Sequence, residues 1–386
     1  MKTAISLFSG AGGDSLGLEQ AGYRVVAFSE CDKDAIATHL AQFPNSTLLQ
    51  HEKNTNIQQL PDSVFTPYQG TVDLIFAGFP CQGFSHAGKK KSDDPRNELV
   101  HEFVRATRLI QPEWIIGENV KGLLSRIGYD PVTQTQQPVI KLITSLFNDI
   151  GYQLAWHVLD ASQYGVPQSR KRLIIIGHRG PLYIQWKQPP IVPPYSIRFI
   201  LEDTLYNSIP TTIPSNEDKD RFWIPSVSQE VTGTPHPNLI RLLNGVRGLT
   251  PTERLKYPDS KTITEPEPLL SYGRRASGYH GEIVDPDTPS KTIICTYQSC
   301  PRLFVGMIHG NQRWLRTLTL TELAQIQGFP KEYPFKGHDK SIIKQIGNAV
   351  PPPLIKHVVL SLDTILLTEE EVEQRLVIED DDEDDE

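Results

Sequence analysis

The stretch Ala4-Ile5-Ser6-Leu7-Phe8-Ser9-Gly10-Ala11-Gly12-Gly13 carries more of the fold than any other in this chain. Residues 4–8 read as a short apolar strand, 9–13 as a tight turn, and the segment near 14–22 as an amphipathic helix. Glycines at such a turn let the main chain approach a ligand, and the helix N-terminus behind them offers free amide groups. A second strand over 25–29 delivers Glu30 about twenty residues later, where a carboxylate can hold ribose hydroxyls. Taken alone, the pattern suits NAD, FAD and S-adenosylmethionine equally. Ser15 stands where a dinucleotide fingerprint would carry its third glycine, which counts against NAD. A turn that needs glycine for sterics alone is the plainer alternative.

Beyond this stretch, short apolar runs alternate with helix-length segments up to about residue 186. Further strands are predicted over 72–76, 114–117, 153–159 and 172–177, and helices near 33–43, 97–110 and 137–150. This alternation predicts an α/β fold with a mostly parallel sheet covered on both faces. The pattern then stops. Between 181 and 301 lie 17 of the 31 prolines, a density that removes long helices and central strands. Residues 187–315 are therefore expected to form a smaller loop- and β-rich domain inserted into the fold begun by residues 1–186. Helical spacing returns over 318–327, with Thr319 or Thr321 as cap and Gly328 as stop. A last helix is expected from 354 to about 367, so that residues 316–368 complete the first domain.

The formal net charge of -8 is unevenly placed. Residues 369–386 hold 12 acids against one base, Arg375, which leaves the other 368 residues at a net +3. The tail reads as a solvated acidic run, expected to be disordered, and the body as mildly basic. Four cysteines make no disulfide framework in a chain of 386 residues. Cys31, Cys81, Cys295 and Cys300 also lack the paired spacing and nearby histidines of a zinc site, so no metal and a reducing compartment are expected. The start shows no signal-peptide pattern and the chain no apolar run of membrane-spanning length.

Gly78-Phe79-Pro80-Cys81-Gln82-Gly83-Phe84-Ser85 places one cysteine on a turn beyond the strand over 72–76. The strand over 114–117 delivers Glu118-Asn119-Val120 to its own end. A lone cysteine is more often a small buried apolar group than a nucleophile. Here a carboxyl group is available from the next strand, and Arg170 and Arg172 can favour the thiolate. Attack on a pyrimidine ring needs such a pair: a thiolate for C6 and an acid group at N3.

With these residues in view, the chain resembles the DNA (cytosine-5) methyltransferase family, of the bacterial and viral restriction-modification type. Six segments match in order: 8–13, Pro80-Cys81-Gln82, Glu118-Asn119-Val120, Gln168-Ser169-Arg170-Lys171-Arg172, 316–330, and Gln345-Ile346-Gly347-Asn348-Ala349-Val350. The resemblance implies a Rossmann-like, S-adenosylmethionine-dependent methyltransferase fold with an inserted target recognition domain. It implies methyl transfer to C5 of a flipped-out cytosine in duplex DNA, through a covalent bond from Cys81 to C6.

By the same resemblance, S-adenosylmethionine would lie over Phe8, Gly10, Ala11, Gly12 and Gly13. Glu30 would hold its ribose, and Pro80, Leu99, Asn348 and Ala349 would line the site. Asn56 and Ile57 fall where the family usually grips adenine with an acidic and an apolar residue, and Cys31 where it often has an aromatic. Glu118 would hydrogen-bond N3, Arg172 orient the base, and Arg170 orient its phosphate or Glu118. Gln82, Ser85, Asn119, Val120 and Gln168 are assigned to the substrate. Lys89, Lys90 and Lys91 would close on phosphates as a lid, and Arg274 and Arg275 belong to a basic stretch of the insertion. The expected partner is double-stranded DNA, with a cognate restriction endonuclease acting separately. Action as a monomer is expected, in a microbial cytoplasm or, for a viral protein, the host cytoplasm or nucleus, with no membrane contact. Two alternatives stay open: a tRNA cytosine methyltransferase of the same fold, and a catalytically silent DNA-binding homologue.

Overall fold

The computed structural model describes residues 1–80, 99–130, 134–180, 183–213, 217–245, 268–275, 280–362 and 366–367. The chain divides into two compact units, the first of residues 1–193, 332–337 and 349–386, the second of 194–331 and 338–348. The expected completing segment, 316–368, is thus shared between them.

Seven strands build the sheet of the first unit: β1 (Thr3–Leu7), β2 (Arg24–Ser29), β3 (Thr47–Leu48), β4 (Leu74–Ala77), β5 (Trp114–Val120), β6 (Tyr152–Asp160) and β7 (Lys171–Arg179). Their spatial order is β3-β2-β1-β4-β5-β7-β6. The first five pair in parallel, and β7 runs antiparallel to both β5 and β6. Each anticipated strand is present within a few residues of its expected bounds. The two-residue β3 was not anticipated, because so short a run carries no periodicity.

Alternation along the strands divides the apolar side chains between two cores. Ile5, Leu7, Ile75, Ala77, Ile115, Leu173 and Ile175 enter one; Ala4, Leu74, Phe76, Trp114, Ile116, Ile174 and Ile176 enter the other. The first core is closed by Phe103, Ala106 and Ile110 of α3 (Leu99–Ile110) and by Ile143 and Phe147 of α4 (Val139–Asn148). The second is closed by Leu18 of α1 (Gly13–Gln20) and by Leu354, Ile355 and Val358 of the helix Pro352–Leu360. A parallel sheet requires this double cover, since neither face tolerates water. Burial of each large aliphatic stabilises by about 1.5–3 kcal/mol.

The helix Pro352–Leu360 ends earlier than the expected 354–367. Leu366 and Leu367 instead pair antiparallel with Ile184 and Tyr183. A short strand of two leucines offers the same apolar content as a last helical turn, so composition could not separate the two.

The second unit carries its own six-stranded sheet. Leu303–His309 and Gln312–Thr317 lie at its centre, flanked by Ile209–Thr211, Trp223–Pro225, Gly281–Ile283 and Leu270–Tyr272. Phe222, Trp223, Leu239, Leu242, Ile283, Phe304 and Leu315 form its core. The helix Leu320–Ile326 is capped by Thr319, whose hydroxyl accepts from the Glu322 N–H while Glu322 reaches back to the Thr319 N–H.

Gly17 of α1 faces the helix Pro352–Leu360. A Cβ there would sit 2.5 Å from the Pro352 carbonyl oxygen and 2.8 Å from Ile355 Cβ. Gly17→Ala should therefore destabilise the chain by about 1–3 kcal/mol through overpacking. Urea unfolding checks this, as a lowered midpoint with an unchanged slope.

Candidate active site

The carboxyl ends of β1, β4 and β5 lie side by side, with Leu7 paired to Ala77 and Ala77 to Gly117. The loops leaving these strands therefore share one edge of the sheet, the usual ligand edge of open α/β folds.

After β1 the chain turns sharply. Phe8, Gly10 and Gly12 have φ of 57°, 55° and 84°, and Gly12 caps α1 in a left-handed conformation. A Cβ on Gly10 would meet nothing within 4 Å, so this main chain borders open space. At Gly12 a Cβ would sit 2.7 Å from the Phe43 ring, which makes its glycine a packing requirement as well. Ala11 and Gly13 are buried behind the loop. Glu30, just beyond β2, accepts the Gly10 N–H at 2.9 Å and the N–H groups of Cys31 and Asp32 at 2.7 and 2.8 Å. It ties the glycine loop to the end of β2, with Cys31 exposed beside it. Burial and the neighbouring Glu30 push the Cys31 thiol up, against thiolate formation.

Asn56 caps the 3-10 turn Ile57–Gln59 by accepting the Gln58 N–H, and Ile57 is buried. Arg105 of α3 grips that turn, donating to the Ile57 carbonyl at 2.9 Å and the Leu60 carbonyl at 3.1 Å. Leu99 begins α3 and is half-buried.

On β5, Glu118 pairs with Arg172 of β7 at 2.7 Å from Oε1 to Nε, both side chains largely buried. Its Oε2 lies 3.9 Å from where a Gly78 Cβ would stand, so the carboxylate faces the exit of β4. Asn119 is buried, donates to the Phe79 carbonyl at 3.2 Å, and accepts the Val120 N–H at 2.8 Å. Arg170 is 3% exposed and donates through Nη2 to the Ala349 carbonyl at 3.2 Å. Gln168 is fully buried.

Pro80 is the last described residue on this side; Cys81, Gln82, Ser85, Lys89, Lys90 and Lys91 lie outside the described residues. Asn348 is exposed at the end of the helix Asp339–Asn348 in the second unit, while Ala349 is buried in the first. Arg274 and Arg275 are exposed in the second unit. Among the described residues no group of His, Cys, Asp and Glu could hold a metal ion, and no helix is long and apolar enough to cross a membrane.

One cluster escaped sequence reasoning. Directly behind the glycine loop, the Ser6 hydroxyl donates to Asp14, and the Ser15 hydroxyl lies 3.5 Å from Asp14 and 3.1 Å from His39 Nε2. His39 stacks on Phe28 at 3.7 Å, and burial depresses it to about 3, leaving the ring neutral. The Tyr333 hydroxyl donates to the Ala11 carbonyl at 2.6 Å. An acid in the first turn of α1 was the only local signal for this cluster. Its partners come from distant parts of the sequence.

This sheet order, with one antiparallel strand inserted beside β5 and a ligand-type glycine loop after β1, defines a Rossmann-like methyltransferase fold. The chain belongs to the C-5 cytosine-specific DNA methylase family, whose model matches residues 2–363, and it is a methyltransferase of that kind. It is 34% identical over 351 residues to the Type II methyltransferase M.PspPI of Psychrobacter sp., covering 90% of this chain and 75% of the relative. It is also 34% identical over 373 residues to the Type II methyltransferase M.Eco47II of Escherichia coli, covering 94% and 80%. A Spodoptera frugiperda DNMT2 mutant structure superposes with a TM-score of 0.60 at 20% identity, over 93% of this chain and 99% of that one; this likeness concerns the fold.

Burial raises Asp14 from the usual carboxylate range to about 7, against the opposing hydrogen bonds from Ser6 and Ser15. The folded chain therefore holds a proton on Asp14 that the unfolded chain releases near pH 4. The associated stability is full below about pH 4 and is lost as pH rises to about 7. Asp14→Asn should flatten that part of the stability–pH curve. Thermal midpoints between pH 5 and 8 check it, and an unchanged slope in the variant would exclude Asp14 as the source.

Proposed function

We propose that this chain methylates C5 of a flipped-out cytosine in a specific duplex DNA sequence, with S-adenosylmethionine as donor and Cys81 as covalent nucleophile. The observation that carries the reading is the Glu118–Arg172 pair, which faces Gly78 only three residues before Cys81. A carboxyl group held by a guanidinium and facing the exit of β4, three residues before a cysteine in sequence, suits addition to a pyrimidine.

The residues around the β1 loop fit the donor. Gly10 leaves open space for a ligand at the main chain, and Glu30 is fixed by three N–H groups at the end of β2. Phe8, Gly10, Ala11, Gly12 and Gly13 would hold its amino-acid part and Glu30 its ribose. Asn56 and Ile57, clamped by Arg105, would hold the adenine. Pro80, Leu99, Asn348 and Ala349 are the remaining proposed contacts. Bound there, S-adenosylmethionine supplies the electrophilic methyl group that an activated C5 accepts.

The chain's own residues produce that activation. The Cys81 thiolate adds to C6, which moves electron density toward N3 and C5. Glu118, as the protonated carboxyl group, donates a hydrogen bond to N3 and offsets the charge that develops there. Arg172 fixes the Glu118 carboxyl group through Nε, and Asn119 fixes the start of the Cys81 segment through the Phe79 carbonyl. A base, supplied by water, takes the C5 proton, and departure of the Cys81 thiolate then restores the ring. None of this geometry is reachable inside a stacked duplex, so the target base must leave the helix. Arg170, buried against Ala349, serves here as a support for the adjacent Arg172 strand. Gln82, Ser85, Val120 and Lys89 to Lys91 remain proposed DNA contacts, whereas the full burial of Gln168 removes it from that set. A restriction endonuclease of matching specificity is the proposed companion, since the relatives carry Type II names.

Cys81→Ser should abolish methyl transfer to duplex DNA while S-adenosylhomocysteine still binds. Glu118→Gln should lower turnover by about two decades. With the methyl donor present, duplex DNA carrying 5-fluorocytosine should trap a covalent adduct through residue 81. Failure to trap it, or a full rate in the Cys81→Ser variant, would exclude the mechanism. Methylation of tRNA in place of duplex DNA would redirect the substrate.

A further inference from the structure

Arginines in the second unit are largely consumed by the unit itself. Arg198 and Arg221 pair with Asp287 and Asp285 at 2.6 and 2.7 Å, and buried Arg316 pairs with buried Glu322 at 2.7 Å. Arg241 donates to Asn238. Arg274 and Arg275 differ: both are exposed, and neither guanidinium has a hydrogen-bond or ion-pair partner among the described residues.

The main chain that carries them is fixed from several sides. Gly273 has φ of +61°, and a Cβ there would sit 3.1 Å from the Phe222 ring, so the turn requires glycine. The Gly273 N–H donates to the Ile283 carbonyl at 3.0 Å, and Lys291 Nζ donates to the Gly273 carbonyl at 3.3 Å. The Ser271 hydroxyl donates to the Arg274 carbonyl. The Arg275 N–H donates at 3.1 Å to Glu282, a buried carboxylate whose counter-ion is Lys291. Tyr272, just before the turn, packs its ring against Phe222 and Trp223.

Keeping a carboxylate out of water to hold one main-chain amide is costly, and a contact to phosphate would not require it. Phosphate attraction tolerates a mobile cation. Reading a base edge does not, because two hydrogen bonds must align at once. Basic side chains on a pinned turn, with no partner among the described residues, match the second requirement.

We propose that the Gly273–Arg275 turn is a base-reading element of this unit. Arg274 and Arg275 take the O6 and N7 edges of guanines in the major groove of the substrate duplex, and Glu282 and Lys291 act as positioning residues. The inference rests on the proposed methyl transfer to duplex DNA and names how part of its sequence would be recognised.

Arg274→Lys and Arg275→Lys test it, because each keeps the charge and removes the planar fork. Duplexes randomised around the target cytosine are methylated by the wild-type chain and by each variant, then read by bisulfite sequencing. Each variant should accept other bases at one guanine position, with discrimination there falling about 5- to 100-fold. The slope of log affinity against log salt should stay unchanged. Glu282→Gln should relax the same positions to a smaller degree. A wild-type sequence profile retained in both lysine variants would overturn this inference alone. No methylation of any duplex by the wild-type chain would overturn the underlying function as well.

Discussion

Everything proposed for the first unit depends on the register of three parallel strands. Leu7, Ala77 and Gly117 stand abreast, so β1 and β4 end at one level and β5 carries Glu118, Asn119 and Val120 just beyond it. That register is held by the two cores, since a slip of one residue would send Ile75 and Ala77 into the core of Leu74 and Phe76 and reverse every side chain. Burial of the Phe79 ring beside Phe103 extends the constraint past the end of β4. The Asn119 amide on the Phe79 carbonyl then ties the exit of β4 to the end of β5. The segment leading to Cys81 and the carboxyl group of Glu118 thus start from positions that one hydrogen-bonded frame determines.

Strand direction explains where the arginines come from. β5 ends at the ligand edge, and a parallel neighbour would also end there. Because β7 is antiparallel, it begins at that edge, with Arg172 opposite Val120 and Ile174 opposite Glu118. Residues 170–172 at its start therefore reach the same edge as Glu118. Arg170 turns inward to Ala349 and Arg172 turns to Glu118, so two basic residues two positions apart take different tasks. One ties the strand start to the segment before the helix Pro352–Leu360; the other holds the carboxyl group.

Local rules made much of this legible. Apolar runs gave every strand of the first sheet but β3, helical spacing gave α1, α2 (Lys33–Gln42), α3 and α4, and Gly10 and Gly12 marked the turn after β1 because a positive φ favours glycine. The segments of the site could be named for the same reason: each is a short run at the end of one element. What stayed hidden is non-local. Ser6, Asp14 and His39 meet only once β1, α1 and α2 are packed, and Tyr333 reaches Ala11 across most of the chain. No spacing rule encodes such meetings. The end of the helix Pro352–Leu360 was missed for a related cause, since the pairing of Leu366 and Leu367 with Tyr183 and Ile184 depends on a distant strand.

The second unit reaches order by another route. Its proline content denies it long helices, and its core is small, so polar groups are drawn inside as fasteners. Arg316, fully buried, spans from Glu322 to the carbonyls of Thr317 and Glu202, while Glu322 accepts the Glu202 N–H and caps the following helix. One ion pair therefore joins a strand, a helix and an irregular segment that little apolar surface could hold together. Buried pairs of this kind add little net stability compared with apolar packing, but they penalise every arrangement that leaves either charge alone. Buried Glu282, paired with the partly exposed Lys291, acts in a related way at Gly273–Arg275. A buried carboxylate of this kind can give an exposed turn a single conformation. A single conformation is what recognition by hydrogen bonds requires.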